Sequence, residues 1–157
     1  MKIVLYLVLV VVFNTTSNAQ SDSSLQSFER SFMVKFNLPA DTCLNMVLLL
    51  KINVAENYKV VIDKFSDNAP ESFQEALNKV RSTIDKRGLE AYLRKRGKKK
   101  TQVFVPIFFL GAGFPCGSDM LSLSKMNQQL FQFNKMNISG TCFFTEPLTT
   151  TTWLIQE

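Results

Sequence analysis

Ten lysines and arginines fall within residues 79 to 100: Lys79, Arg81, Lys86, Arg87, Arg94, Lys95, Arg96, Lys98, Lys99 and Lys100. Only Asp85 and Glu90 oppose them, so this segment carries a net +8 in a 157-residue chain whose total is +5. The remainder of the chain is therefore acidic by three charges, and the basicity is one patch rather than a general property. Its densest part, Arg94, Lys95, Arg96, Lys98, Lys99 and Lys100, is the candidate contact surface. Such a cluster attracts anionic lipid headgroups at about 1 kcal/mol per nearby basic residue, nucleic acid through its phosphates, or an acidic protein. A solvated loop that only aids solubility is the plain alternative. Nucleic acid is not expected as the partner, because no aromatic residues alternate with the charges to stack bases.

Catalytic chemistry finds little material. The chain has no histidine, which removes the usual general base, the triads built on it and the commonest metal ligand. Gly111-Ala112-Gly113 follows a β-rich run but lacks the rest of a dinucleotide fingerprint, so it reads as a turn. Glu71 and Glu75 form a carboxylate pair of the kind that ordinarily faces solvent on a helix. We expect no enzyme, no cofactor and no metal site. The three cysteines, Cys43, Cys116 and Cys142, predict one disulfide and one free thiol in an oxidising compartment, with three pairings open. An antiparallel arrangement of the first and last core strands favours Cys43 with Cys116. Cys116 with Cys142 is the competitor, and either closure is worth about 2 to 4 kcal/mol.

The elements that must position these residues are legible from periodicity. From Met46 to Val54, the residues Met46, Leu48, Leu50, Ile52 and Val54 alternate onto one face, with Val47 and Leu49 on the other. That pattern belongs to a central strand. A polar Ala55–Tyr58 stretch and a second apolar run, Lys59–Phe65, predict a hairpin. Ser66, Asp67 and Asn68 then offer helix caps and Pro70 suits a first turn. Phe73, Ala76, Leu77, Val80 and Ile84 give the helix a stripe that can lie on the sheet. Leu89, Tyr92 and Leu93 predict a second short helix ended by Gly97. The run Gln102–Leu110 predicts a strand in which Pro106, having no N–H, marks a sheet edge. Upstream, Phe28, Phe32 and Phe36 recur every fourth residue, either as a short helix or as an extended segment, after a Ser-rich stretch that reads as a frayed arm. Downstream, Met120, Leu123, Met126, Leu130, Phe133 and Met136 predict a helix opened by Ser118 or Asp119. Ile138–Ile155 favours one or two short strands. Asn137-Ile138-Ser139 matches a glycosylation acceptor.

Lys2, the apolar run Ile3–Phe13 and the small residues Ser17-Asn18-Ala19 predict a cleaved export signal over residues 1–19, with Gln20 as the mature N-terminus. The run is too short to span a bilayer. The expected organisation is thus signal peptide 1–19, N-terminal arm 20–36, an α+β domain 37–110 and a C-terminal extension 111–157 packing on that domain. The fold class is α+β: a small antiparallel sheet with a β-β-α-β core, a helix packed on one face, and a helix/strand extension.

The order of strand, hairpin, strand, then Ser66-Asp67-Asn68-Ala69-Pro70 leading into Phe73-Gln74-Glu75-Ala76-Leu77, then Val105-Pro106-Ile107-Phe108-Phe109, resembles the TonB C-terminal domain over about residues 37–110. Leu38-Pro39-Ala40 is similar to the Tyr-Pro element that family carries ahead of its first strand. Asn57-Tyr58 stands where the family usually has Asp-Gly, and the basic insertion replaces the tryptophan and proline common after the helix. The resemblance implies a periplasmic or secreted protein-binding module whose last strand accepts an extended peptide, from an envelope or outer-membrane protein, along Val103, Val105, Ile107 and Phe109. The alternative expectation is a secreted basic protein that meets membrane surfaces or polyanions through residues 79–100, its sheet edge covered by its own C-terminus.

Overall fold

Strand β1 (Met46–Val54) lies between two antiparallel neighbours, β2 (Val60–Phe65) and β3 (Thr101–Ala112). The computed structural model describes residues 22–36, 46–112 and 129–153. All five residues of the first β1 face are buried. On the other face Leu49 is buried, Val47 and Lys51 are half-buried and Asn53 is exposed, as alternation requires of a strand with unequal faces. The fold is α+β, with three helices among the described residues and a five-stranded sheet. That sheet is mixed rather than purely antiparallel.

The hairpin turns at residues 55–59. The Ala55 carbonyl accepts the Tyr58 N–H, and Tyr58 takes a left-handed φ of 66°, the position for which Gly is the usual residue. Beyond it, β1 and β2 pair with a shift: Ile52 faces Ile62 but Lys51 faces Lys64, which leaves Asp63 as a bulge. The bulge changes the inward parity. Val60 and Ile62 point into the core before it, and Phe65 rather than Lys64 points in after it.

Helix α1 (Ser23–Lys35) corrects the expected frayed arm. The Asp22 carboxylate accepts the Ser24 N–H at 2.9 Å and opens the helix, a standard N-cap. Leu25, Phe28 and Phe32 then fall on one buried face. At about 1.5 to 3 kcal/mol each, their burial holds a 13-residue helix that would be marginal alone. Phe36, just past its end, stacks on Phe32 at 5.1 Å and meets the rings of Phe65, Phe73 and Phe109 at 5.5 to 6.2 Å. The helix is therefore part of the same core as the sheet.

Helix α2 (Glu71–Val80) buries Phe73 and Leu77 against that core, and a further turn brings in Ile84. Pro70 occupies its N-cap with no side-chain cap. The expected capping role of Ser66, Asp67 and Asn68 is corrected, because all three work on other parts of the chain. Ser66 Oγ accepts the Leu49 N–H and Asn68 Nδ2 donates to the Val47 carbonyl, satisfying β1 where β2 has stopped. Asp67 accepts the N–H groups of Asn134 and Lys135.

Those two residues form the turn of a small hairpin, β4 (Gln132–Phe133) with β5 (Met136–Asn137). Their φ values, 54° and 62°, are those of a two-residue primed turn. The expected C-terminal helix is corrected at its described end: Leu130 closes a helical turn, but Phe133 is buried while Met136 is exposed, so the two do not share a helical face. Residues 113–128, with Met120, Leu123 and Met126, lie outside the described residues, as do residues 1–21, Cys43 and Cys116. Among the described residues Cys142 is half-buried and pairs with no other cysteine.

Helix α3 (Arg87–Lys95) carries Leu89, Tyr92 and Leu93 inward and packs on α1. Two C-terminal strands, β6 (Cys142–Phe144) and β7 (Leu148–Trp153), complete the sheet by pairing in parallel with β3.

Candidate functional site

The pairing of β3 decides what its edge can do. Val103, Val105, Ile107 and Phe109 are each at most 1% exposed and face the helix layer, in register with β1. The expected edge position is corrected: β6 lies along Gln102–Phe104 and β7 along Ile107–Ala112. Pro106 survives inside the sheet for a local reason. The Phe104 carbonyl accepts the Thr145 N–H, so Phe104 and, two residues on, Pro106 turn their backbone polar groups away from β1. Pro106 then falls in the gap between β6 and β7, where no ladder partner needs its missing N–H.

The opposite edge is blunted by side chains. In β2, the Val60 N–H donates to Glu90 Oε1, the Asp63 carbonyl accepts from Arg81 and the Phe65 N–H donates to Gln74 Oε1. Three backbone groups that an added strand would need are thus taken by helix residues.

The basic cluster gathers where α3 ends and the chain returns to β3. Arg94 and Lys95 occupy the last turn of α3, where cations complement the helix dipole. Gly97 reverses the chain at φ 63°, an easy conformation only without a Cβ. Three of the six cations meet carboxylates: Lys95 with Asp22 at 3.3 Å, Arg96 with Glu146 at 3.9 Å and Lys99 with Glu56 at 3.0 Å. Three lie over aromatic rings: Arg94 over Tyr58 at 5.6 Å, Arg96 over Tyr92 at 4.6 Å and Lys98 over Phe143 at 5.0 Å. Among the described residues Arg94, Lys98 and Lys100 have no carboxylate partner. Glu56 beside Lys99 raises that ammonium's pKa, and burial raises the Tyr92 phenol. The Ser24 N–H, and then Ser24 Oγ and Lys95, hold the Asp22 carboxyl below the ordinary aspartate value.

The six cations are close together in the sequence, whereas their aromatic partners are mostly distant in it. Tyr92 and Arg96 stand four apart on a helix, a spacing that could have shown that pair. Tyr58 and Phe143 come from the β1–β2 turn and from β6, and only the fold joins them to the patch.

The sheet face away from the helices carries a second, smaller apolar cluster of Leu49, Phe104 and Phe133. A cleft of about 140 Å³ opens there, lined by Lys51, Gln102, Phe104, Phe133, Met136, Asn137, Ile138 and Ser139. Its one cation, Lys51, is already paired with Asp63 at 3.4 Å and lies over the Phe133 ring. Among the described residues no cluster of three or more His, Cys, Asp or Glu side chains is placed to hold a metal.

No family model, curated protein or solved structure matches the chain. Its chemistry therefore rests on the geometry alone. Among the described residues no helix is long and apolar enough to cross a membrane.

Proposed function

We propose that the chain is an exported, non-enzymatic binding module that attaches to an anionic membrane surface through the end of α3 and the loop into β3. The observation that carries this reading is that Arg94, Lys98 and Lys100, at the end of α3 and in the loop into β3, have no carboxylate to neutralise them among the described residues. Three such cations near a surface supply about 3 kcal/mol, roughly a hundredfold in partitioning. Lys95, Arg96 and Lys99 add less, because each already has an acidic neighbour.

The resemblance to the TonB C-terminal domain supports a second reading, in which β3 takes a peptide from an envelope protein. The parallel seating of β6 and β7 on β3 favours it to this extent: that side of β3 accepts extended chain. A partner strand would have to displace them, and for that reason this reading ranks below the first.

Sedimentation of the protein, as its exporting host produces it, with anionic and with zwitterionic vesicles tests the proposal. Binding to the anionic vesicles that weakens steeply with added salt is expected. Equal binding to both compositions, or none to either, would refute attachment through the basic face.

A further inference from the structure

Five large apolar side chains are strongly exposed among the described residues: Val34, Val61, Phe131, Met136 and Phe144. Val34 and Val61 stand singly on α1 and β2, which is ordinary for a protein surface. Met136 stands on β5, while Phe131, just before β4, and Phe144, on β6, lie together. Phe131 and Phe144, 46% and 43% exposed, meet edge to face at 6.5 Å, and Phe144 also leans on the buried Phe104 at 5.4 Å.

Strand β6 joins this pair to the basic face. Its Phe143 turns toward the helix layer and carries Lys98 on its ring, while Phe144 turns to the opposite side. Thr101 Oγ1 donates to the Thr141 carbonyl, which sets Lys100 beside the start of β6, and Arg96 reaches Glu146 just past its end. Lys135, in the hairpin turn, adds a further exposed cation next to Met136. Strand β6 thus has Lys98 over Phe143 on one side and, on the other, half-exposed Phe144, which meets Phe131 from the turn before β4.

We propose that Phe131 and Phe144 insert into the boundary between headgroups and acyl chains of the anionic bilayer that the basic face attracts. This rests on the function proposed above and adds to it an apolar anchor. The pairing of basic rim with exposed apolar tip is what interfacial binding uses, charge drawing the protein in and buried apolar area holding it. The phenylalanines suit a bilayer better than nucleobases. Their planes lie at 67° to one another, so they offer no parallel slot of the kind that stacks successive bases.

The test is sedimentation with vesicles of phosphatidylcholine and phosphatidylserine at low and high salt, using the full chain, F131S/F144S and F131L/F144L. The serine pair is expected to bind about tenfold more weakly and to lose the binding that persists at high salt, while the leucine pair retains it. Serine variants that bind like the parent would overturn insertion and leave attraction by the basic face standing. A parent protein that ignores these vesicles, or that prefers a single-stranded oligonucleotide to them, would overturn both. Should the serine pair melt early, F144W in a W153F background gives an independent reading. Quenching by brominated acyl chains is expected, and its absence from vesicle-bound protein would contradict insertion.

Discussion

Gly88 on α3 lies directly against the Ser24 carbonyl of α1: a Cβ at position 88 would stand 2.2 Å from that oxygen and 3.0 Å from the Phe28 nitrogen. Both neighbours are backbone, so neither can swing aside. The contact sets how closely α1 approaches the helix that presents Arg94 and Lys95. We expect Gly88→Ala to destabilise the fold by about 1 to 3 kcal/mol through overpacking. Thermal melting should show this as a fall of about 2 to 4 °C per kcal/mol, and an unchanged midpoint would contradict the close packing of α1 on α3.

Asp67 ties the β4–β5 hairpin to the segment between β2 and α2 by accepting two N–H groups. Asp67→Ala leaves those donors to water and removes charge-assisted bonds, for a loss of about 1.5 to 3 kcal/mol. Amide exchange at Asn134 and Lys135 should accelerate before any change in β1. Unchanged protection at both amides would show that the turn holds itself.

Acid should loosen α3 at both of its ends. Arg87, through its side chain and then its N–H, brings the Asp85 carboxyl down to about 2, and Asp22 is also lowered. A depressed carboxyl contributes its stability above the unfolded-state value and loses it as pH falls through the folded value. Melting temperature should therefore decline from just below pH 4 toward about pH 2. Asp22→Asn should flatten part of that decline, and a profile identical to the parent's would exclude the α1 cap as a contributor.

With β6 and β7 on its outer side, β3 should be protected without any partner. Hydrogen exchange at Phe104 and Phe108, whose backbone groups face those strands, is expected to be slow in the isolated protein. Rapid exchange there, with Val103 and Val105 still slow against β1, would restore β3 to the role of an open edge.

The fold was legible where one residue type does one thing. The alternation in β1, the stripe of Phe73 and Leu77, and the fourfold spacing of Phe28 and Phe32 each describe a face that must be buried, and each is buried. The sequence is silent where a side chain serves a distant partner. Ser66, Asp67 and Asn68 look like caps because capping is what such residues do next to a helix. Here β1 runs past the end of β2 and the hairpin turn needs an acceptor, and those needs win. Pro106 signals an edge by its missing N–H, and nothing local announces that Thr145–Pro147 leaves a gap opposite it. The basic site was half legible: its charge is contiguous in sequence, whereas Tyr58 and Phe143 reach it only through the topology of the sheet.

The most direct measurement of the central claim is vesicle affinity of the charge-reversed protein R94E/K98E/K100E beside the parent, with melting curves to show that both are folded. These three side chains form no salt bridge among the described residues, and Arg94 and Lys98 lie over the rings of Tyr58 and Phe143, so the fold should persist. The account predicts that binding to anionic vesicles falls by about two orders of magnitude or more while binding to zwitterionic vesicles is unchanged. A folded triple variant that binds anionic vesicles as tightly as the parent would contradict it.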